Sequence, residues 1–126
     1  VKIIGDDLIP FEDFFVVNLI EDIAKTKSNS QIFFDFDEKL LKYSFEQSIN
    51  FFVRVKSIKE AIYSNSLNAK YIVCEKELAK ELQKIADNYM FDSKILALIE
   101  SNEEFEEIAR FEIDGVIYRE TIKERI

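Results

Sequence analysis

The residues able to do chemistry in this chain are few, and their types narrow that chemistry at once. There is no histidine. Ser-His-Asp and Cys-His nucleophilic mechanisms, imidazole acid–base steps and nearly all catalytic zinc sites therefore lie outside its reach. A single cysteine, Cys74, leaves no cluster for structural zinc or iron–sulfur centres. With only Gly5 and Gly115, neither G-x-G-x-x-G nor a P-loop can be written. Carboxylates, Lys, Arg, Tyr and hydroxyls remain. Among them the sharpest pattern is Gln31-Ile-Phe-Phe-Asp-Phe-Asp-Glu38, an apolar run closed by Asp35 and Asp37. A second group stands where apolar runs end: Asp37, Lys56, Glu75, Glu100 and Arg119. Open α/β sheets bind ligands at the carboxyl ends of their strands, so these five are the candidate ligand-binding residues. Their mixed signs do not match a phosphate or metal pocket.

The Gln31–Glu38 run resembles the first motif of the haloacid-dehalogenase-like phosphotransferases, an apolar strand ending in Asp-x-Asp. The resemblance implies that Asp35 takes the phosphoryl group, that Asp37 is the general acid–base, and that both help to hold magnesium. A carboxylate beside a metal can form such a phosphoaspartyl intermediate. After the second Asp the chain reads Glu38-Lys39, where that family has Gly-Thr or similar. The residues also carry a structural reading, and it is the one expected to hold. Strand alternation puts Phe33, Asp35 and Asp37 on one side, and Phe52, Arg54 and Lys56 on one side of the next strand. If the two strands are neighbours, Asp35 pairs with Arg54, and Asp37 is a helix N-cap. No catalytic residue and no metal site are then assigned, and magnesium enters only with the alternative. Cys74 reads as a small buried hydrophobe rather than a reactive thiol. Asp6-Asp7 is similar to the acidic pair after the first strand of response-regulator receiver domains, but the loop around Pro10 marks it as a turn.

These residues must be positioned by strands and helices. Lys70–Glu75 and Lys94–Ile99 are short, apolar and β-branched, as strands buried on both faces are. Between them Leu78, Ala79, Leu82, Ile85, Ala86, Tyr89 and Met90 mark one face of a helix running to Phe91. A helical crossover implies parallel pairing with right-handed connection. The pattern recurs. Val1–Ile4, Phe14–Val17, Gln31–Phe36, Phe51–Val55 and Val116–Arg119 read as further strands. Helices follow with Leu40, Leu41 and Phe45, then Ile58, Ala61 and Ile62, then Phe105, Ile108 and Ala109 facing inward. Asn18, Asp37, Ser57 and Ser101 are the predicted N-caps, Asn18, Ser57 and Ser101 with a carboxylate three residues on. Thr121 and Glu124 suggest a capped terminal turn, and Asp114-Gly115 a turn.

Strand starts near residues 14, 31, 51, 70, 94 and 114 give a repeating β–α unit. The expected fold is α/β: one domain over 1–126, with an open, mainly parallel, doubly wound sheet of five or six strands and helices on both faces. This is similar to the flavodoxin-like and Rossmann-like arrangements. A closed eight-fold barrel typically takes about 250 residues and is not expected.

Charge and composition set the functional expectations. There are 25 acids against 17 bases, a net charge of −8, with no basic stripe to meet phosphates. Nucleic acid and anionic membranes are not expected partners. No apolar run approaches the roughly 20 residues of a bilayer span. The absence of an export pattern and the single Cys suggest the cytoplasm. The functional expectation is a non-enzymatic, acidic domain acting through protein contacts, as a homodimer or with an unidentified protein partner. The alternatives are the magnesium phosphotransferase and a small-ligand binder at the strand ends. Phe pairs at 14–15, 33–34 and 51–52 point to both sheet faces and need cover on both. The segment Asn18–Ala24 is short cover for Phe14-Phe15, which places the expected dimer contact near Phe14 to Asp35.

Overall fold

The computed structural model describes residues 1–126. Seven strands form: β1 (Lys2–Ile4), β2 (Phe14–Val16), β3 (Gln31–Asp35), β4 (Phe51–Arg54), β5 (Tyr71–Glu75), β6 (Lys94–Ile99) and β7 (Gly115–Tyr118). The helices are α1 (Ile20–Ile23), α2 (Glu38–Glu46), α3 (Ile58–Ser66), α4 (Lys76–Asn88), α5 (Phe105–Arg110) and α6 (Arg119–Lys123), with a 3-10 turn at Asn102–Glu104 before α5. All strand pairs are parallel. The molecule is thus an α/β fold with an open, curled, all-parallel sheet, consistent with the flavodoxin-like and Rossmann-like class, and with one strand more than the six expected. No helix is long and apolar enough to cross a membrane.

The strand order is β1-β7-β6-β5-β4-β3-β2. From β2 to β7 each strand lies beside the next, so successive right-handed crossovers lay their helices on the same face. Burial agrees. Leu40 and Leu41 of α2, Ala61 of α3, Leu82 of α4 and Ile108 of α5 share one cluster with Ile32, Phe34, Val53, Ile72, Cys74 and Ile95. The opposite face gathers Ile4, Phe14, Phe33, Phe52, Tyr71, Leu96 and Ile117, and its helical member is Ile122 of α6. The helices therefore cover the two faces five to one. On the inner face, aromatic rings of neighbouring and next-neighbouring strands meet: Phe14 to Phe33 at 6.0 Å, Phe14 to Phe52 at 5.1 Å, and Phe52 to Tyr71 at 4.7 Å between centroids. Contact between rings on β2 and β4, two strands apart, reflects the inward curl of the sheet.

Local signals explain most boundaries. Asp37 accepts hydrogen bonds from the backbone N–H groups of Lys39 and Leu40, and Ser57 Oγ accepts from Glu60 N–H. Glu104 reaches back to the N–H groups of Glu100 and Ser101. Some expectations need correction. The first helix begins after Leu19, not Asn18, and Asp22 rather than Glu21 accepts from the Asn18 and Leu19 N–H groups. Phe45 and Ile62 are exposed, because α2 and α3 lie on an outer layer with a narrow buried stripe. Helix α4 stops at Asn88, leaving Tyr89 and Met90 in solvent. Thr121 is inside α6 and buried rather than a cap. Gly115 opens β7 instead of closing a turn, since a Cβ there would sit 2.4 Å from the Lys2 carbonyl oxygen on β1.

Helices α2 to α5 leave by one repeated motif. The N–H groups of Ile49, Ala69, Phe91 and Ile113 donate to the carbonyls of Ser44, Ser64, Ala86 and Ile108. This is the six-to-one bond of a Schellman cap, which places one residue in the left-handed region. Those residues are Ser48, Asn68, Met90 and Glu112, with φ between 51 and 66°. Asn tolerates that region; Met and Glu carry a Cβ that crowds the following carbonyl at a cost of about 1–2 kcal/mol. Met90 is 84% exposed and gives up little packing on truncation. Met90→Gly should therefore raise stability by about 0.5–1 kcal/mol in urea denaturation, net of glycine's larger unfolded-state entropy. Asn68→Gly should be close to neutral. Destabilisation by Met90→Gly would contradict the cap.

Candidate functional site

Every second residue of a strand faces the inner side, and at the carboxyl ends those residues turn from apolar to charged. Along β3 the series is Phe33 then Asp35; along β4, Phe52 then Arg54; along β5, Val73 then Glu75. Parallel pairing puts Asp35 beside Arg54. Arg54 Nε donates to Asp35 Oδ1 at 2.6 Å, and its guanidinium lies 5.6 Å from the Phe33 ring centre. Farther along the rim, Arg119 Nη2 donates to both carboxylate oxygens of Glu75, at 2.6 and 2.7 Å, and Arg119 Nε to Glu100 at 2.8 Å. One guanidinium thus binds two carboxylates through charge-assisted hydrogen bonds, Nη2 spanning Glu75 and Nε taking Glu100. The two carboxylates, Glu100 first and then Glu75, hold the Arg119 proton more firmly than usual.

The structure therefore brings Glu75, Glu100 and Arg119 together and leaves Asp37 and Lys56 outside that cluster. Asp37 is engaged in capping α2. Lys56 is exposed, and its backbone N–H donates to Glu60 at 2.9 Å. Asp35 and Asp37 do not fit a magnesium ion: one is gripped by Arg54, the other caps a helix, and no three Asp, Glu or Cys side chains gather as a ligand set. Cys74 is buried in the outer-face core. Burial, and then the charge of Glu75, push its thiol up to about 12, the reverse of an activated nucleophile.

A broad concavity adjoins this rim. It is an open groove of about 1000 Å³ between the β1–β2 connection (residues 5–11), the segment after β6 and helix α6. Gly5 has φ +105° and lies so close to Thr121 that any Cβ would strike its hydroxyl. Asp6 then organises the loop. Its carboxylate accepts from Leu8 N–H at 2.9 Å and from the Tyr118 hydroxyl at 2.7 Å. The Tyr118 bond, then the Leu8 bond, lower the Asp6 pKa; burial and the Asp6 bond push Tyr118 up to about 12. At the far end of the loop Arg125 donates to Asp13 at 2.8 and 3.0 Å and packs 4.6 Å from the Phe14 ring centre. The groove walls carry Asp6, Asp7, Glu100, Glu120 and Glu124 against one base, Arg125. Sequence reasoning found the Asp35–Arg54 pair and the strand-end charges. It missed this groove, since Asp6–Tyr118 and Asp13–Arg125 each join residues 112 positions apart.

No family model matches the chain, and no curated protein is found to match it.

Behind the rim, Lys76 bridges Glu104 and Glu107 at 2.9 and 3.0 Å, and Lys80 meets Glu107 at 2.7 Å. Burial works to raise the Glu104 pKa, but Lys76 and the Glu100 and Ser101 N–H groups hold it below the ordinary 4.5. Glu107 is lowered by Lys80 and Lys76, and Asp13 chiefly by Arg125. A depressed folded-state pKa means that the unfolded chain takes up protons first as pH falls. The contribution is complete above the ordinary carboxylate range and is lost as pH falls through the folded values. The melting temperature should accordingly hold above about pH 5 and drop below about pH 4.5. Glu104→Gln should make that drop smaller; an unchanged acid slope would contradict the network.

Proposed function

We propose that this chain is a non-catalytic protein-contact domain and that its contact surface is the groove between the β1–β2 connection and α6. The observation that carries the reading is Leu8. It is 83% exposed, with Ile9 beside it, on a loop fixed by Asp6, Tyr118 and Gly5. A large apolar side chain held out on a preorganised loop beside the groove loses little entropy on binding, so Leu8 with Ile9 supplies an apolar anchor there. The charged rim supports a binding role over chemistry, because Asp35, Arg54, Glu75, Glu100 and Arg119 are already engaged with one another. The excess of carboxylates around the groove favours a basic partner segment carrying an apolar residue. The test is an NMR titration of the labelled protein with a Lys/Arg-rich peptide containing leucine. Shifts confined to residues 5–11 and 118–125, and abolished by Leu8→Ser, would support the reading. No shifts, or equal shifts at all acidic residues, would overturn it.

Self-association is the second reading, and a specific feature favours it. Strand β2 is a sheet edge whose following helix has four residues. Phe14, Phe33 and Phe34 are buried within the chain, so the aromatic surface left for a second copy is the half-buried Phe15 with the exposed Leu19. That offers a smaller area than four uncovered rings would. Light scattering at micromolar concentration should show a dimer that Leu19→Asp returns to monomer. A monomer mass at every salt concentration would sink this reading.

A further inference from the structure

The seven strands leave one buried polar atom at their amino ends without a protein partner. Gln31 opens β3 on the inner face and is only 6% exposed. Its Nε2 donates to the Glu12 carboxylate. A carboxylate only accepts, so the amide must present its NH₂ to Glu12 and turn its oxygen the other way. That oxygen, Gln31 Oε1, meets no donor from the protein. Gln31 lines a recess of about 10 Å³ together with Lys2, Phe11, Glu12, Phe52, Lys70 and Tyr71. The other orphan atom, Ser44 Oγ, is in a different position: it sits inside α2, where the corresponding Ser64 of α3 donates to a carbonyl one turn back. Gln31 Oε1 has no such carbonyl-for-hydroxyl option, because it can only accept.

We propose that the recess is a binding site for a single ordered water molecule, which donates one hydrogen bond to Gln31 Oε1. The chemistry eliminates other occupants. An anion without a proton offers no hydrogen to a carbonyl oxygen, and a protonated oxyanion is too large for a recess of about 10 Å³. A metal cation would enter beside the Lys70 ammonium, which is 3.8 Å from Glu12, and beside Lys2. A recess of this volume holds about one probe sphere, the least space a water needs, and excludes larger donors. Water also meets the remaining demands: its second hydrogen can go to the Glu12 carboxylate, and its lone pairs can accept from a lysine ammonium. Bound there, it joins the connection that carries Phe11 and Glu12 to β3, β4 and β5 at the end of the inner face opposite the charged rim.

A high-resolution crystal structure of the full chain tests this, with Gln31→Leu as the comparison. We expect electron density for one water within hydrogen-bond distance of Gln31 Oε1, and loss of that density in Gln31→Leu. Direct donation to Oε1 by Lys2 or Lys70, or an empty recess with the oxygen still unpartnered, would overturn the site. So would density that persists in Gln31→Leu, which would assign the water to Glu12 and Lys70 alone. Should Gln31→Leu fail to fold, water-to-amide Overhauser transfer at the Gln31 side chain of the unaltered protein decides the question. Transfer from a long-lived water supports the site, and its absence removes it.

Discussion

A parallel sheet built from strands apolar on both sides has to be covered twice, and this molecule supplies very unequal covers. Crossover helices α1 to α5 all serve the outer face. The inner face is served by its own curl, by the connection from β1 to β2, and by the short helix α6. Curling lets Phe14, Phe33, Phe52 and Tyr71 cover one another. What the curl leaves open is the seam between the two edge strands, β1 and β2. There Arg125, after α6, reaches Asp13 at the start of β2, while Tyr118 of β7 holds Asp6 at the root of the loop that crosses. The groove is a consequence of that closure: a loop crossing a seam, with a helix of five residues beside it, leaves concave space that a longer crossover helix would have filled.

The rim and the groove follow from the same constraint. Inner-facing positions alternate along each strand until the carboxyl end, where solvent admits charge. Charges of both signs then neutralise each other along the rim, Asp35 with Arg54 on the adjacent strand, and Arg119 with Glu100 after the adjacent β6 and with Glu75 one strand farther on. Exposed pairs of this kind contribute little to stability individually. Their effect here is to occupy the groups that would otherwise bind a ligand or do chemistry. In the groove the compensation is partial: Asp6 is held by Tyr118 and Glu100 by Arg119, while Asp7, Glu120 and Glu124 form no ion pair.

How much of this was legible in the sequence depends on range. Alternation in Gln31–Asp35 and Phe51–Arg54 is local, and with the two strands as neighbours it led to the Asp35–Arg54 pair; the helical crossover led to parallel strands. The Asp37, Ser57 and Ser101 starts are local too, since an N-cap lies within three residues of what it caps. Helix ends were harder. With two glycines in the chain, the left-handed residues that end α2 to α5 are Ser48, Asn68, Met90 and Glu112. Apart from Asn68 these carry no strong sequence signal, so Tyr89 and Met90 read as a continuation of α4. Strand order and the seam were not legible at all. They rest on contacts across 112 residues, such as Arg125 with Asp13, for which neither residue type nor spacing gives a sign.

Helix α6 lies on the inner face and closes the seam. Nuclear Overhauser contacts in the free protein between Arg125 or Ile122 and the Phe14 ring decide whether it does so in solution. Strong contacts are expected from the Arg125 side chain, whose guanidinium carbon lies 4.6 Å from the centre of that ring. Absence of those contacts, with Ile122 instead showing contacts to outer-face residues such as Ile108 or Leu82, would contradict it.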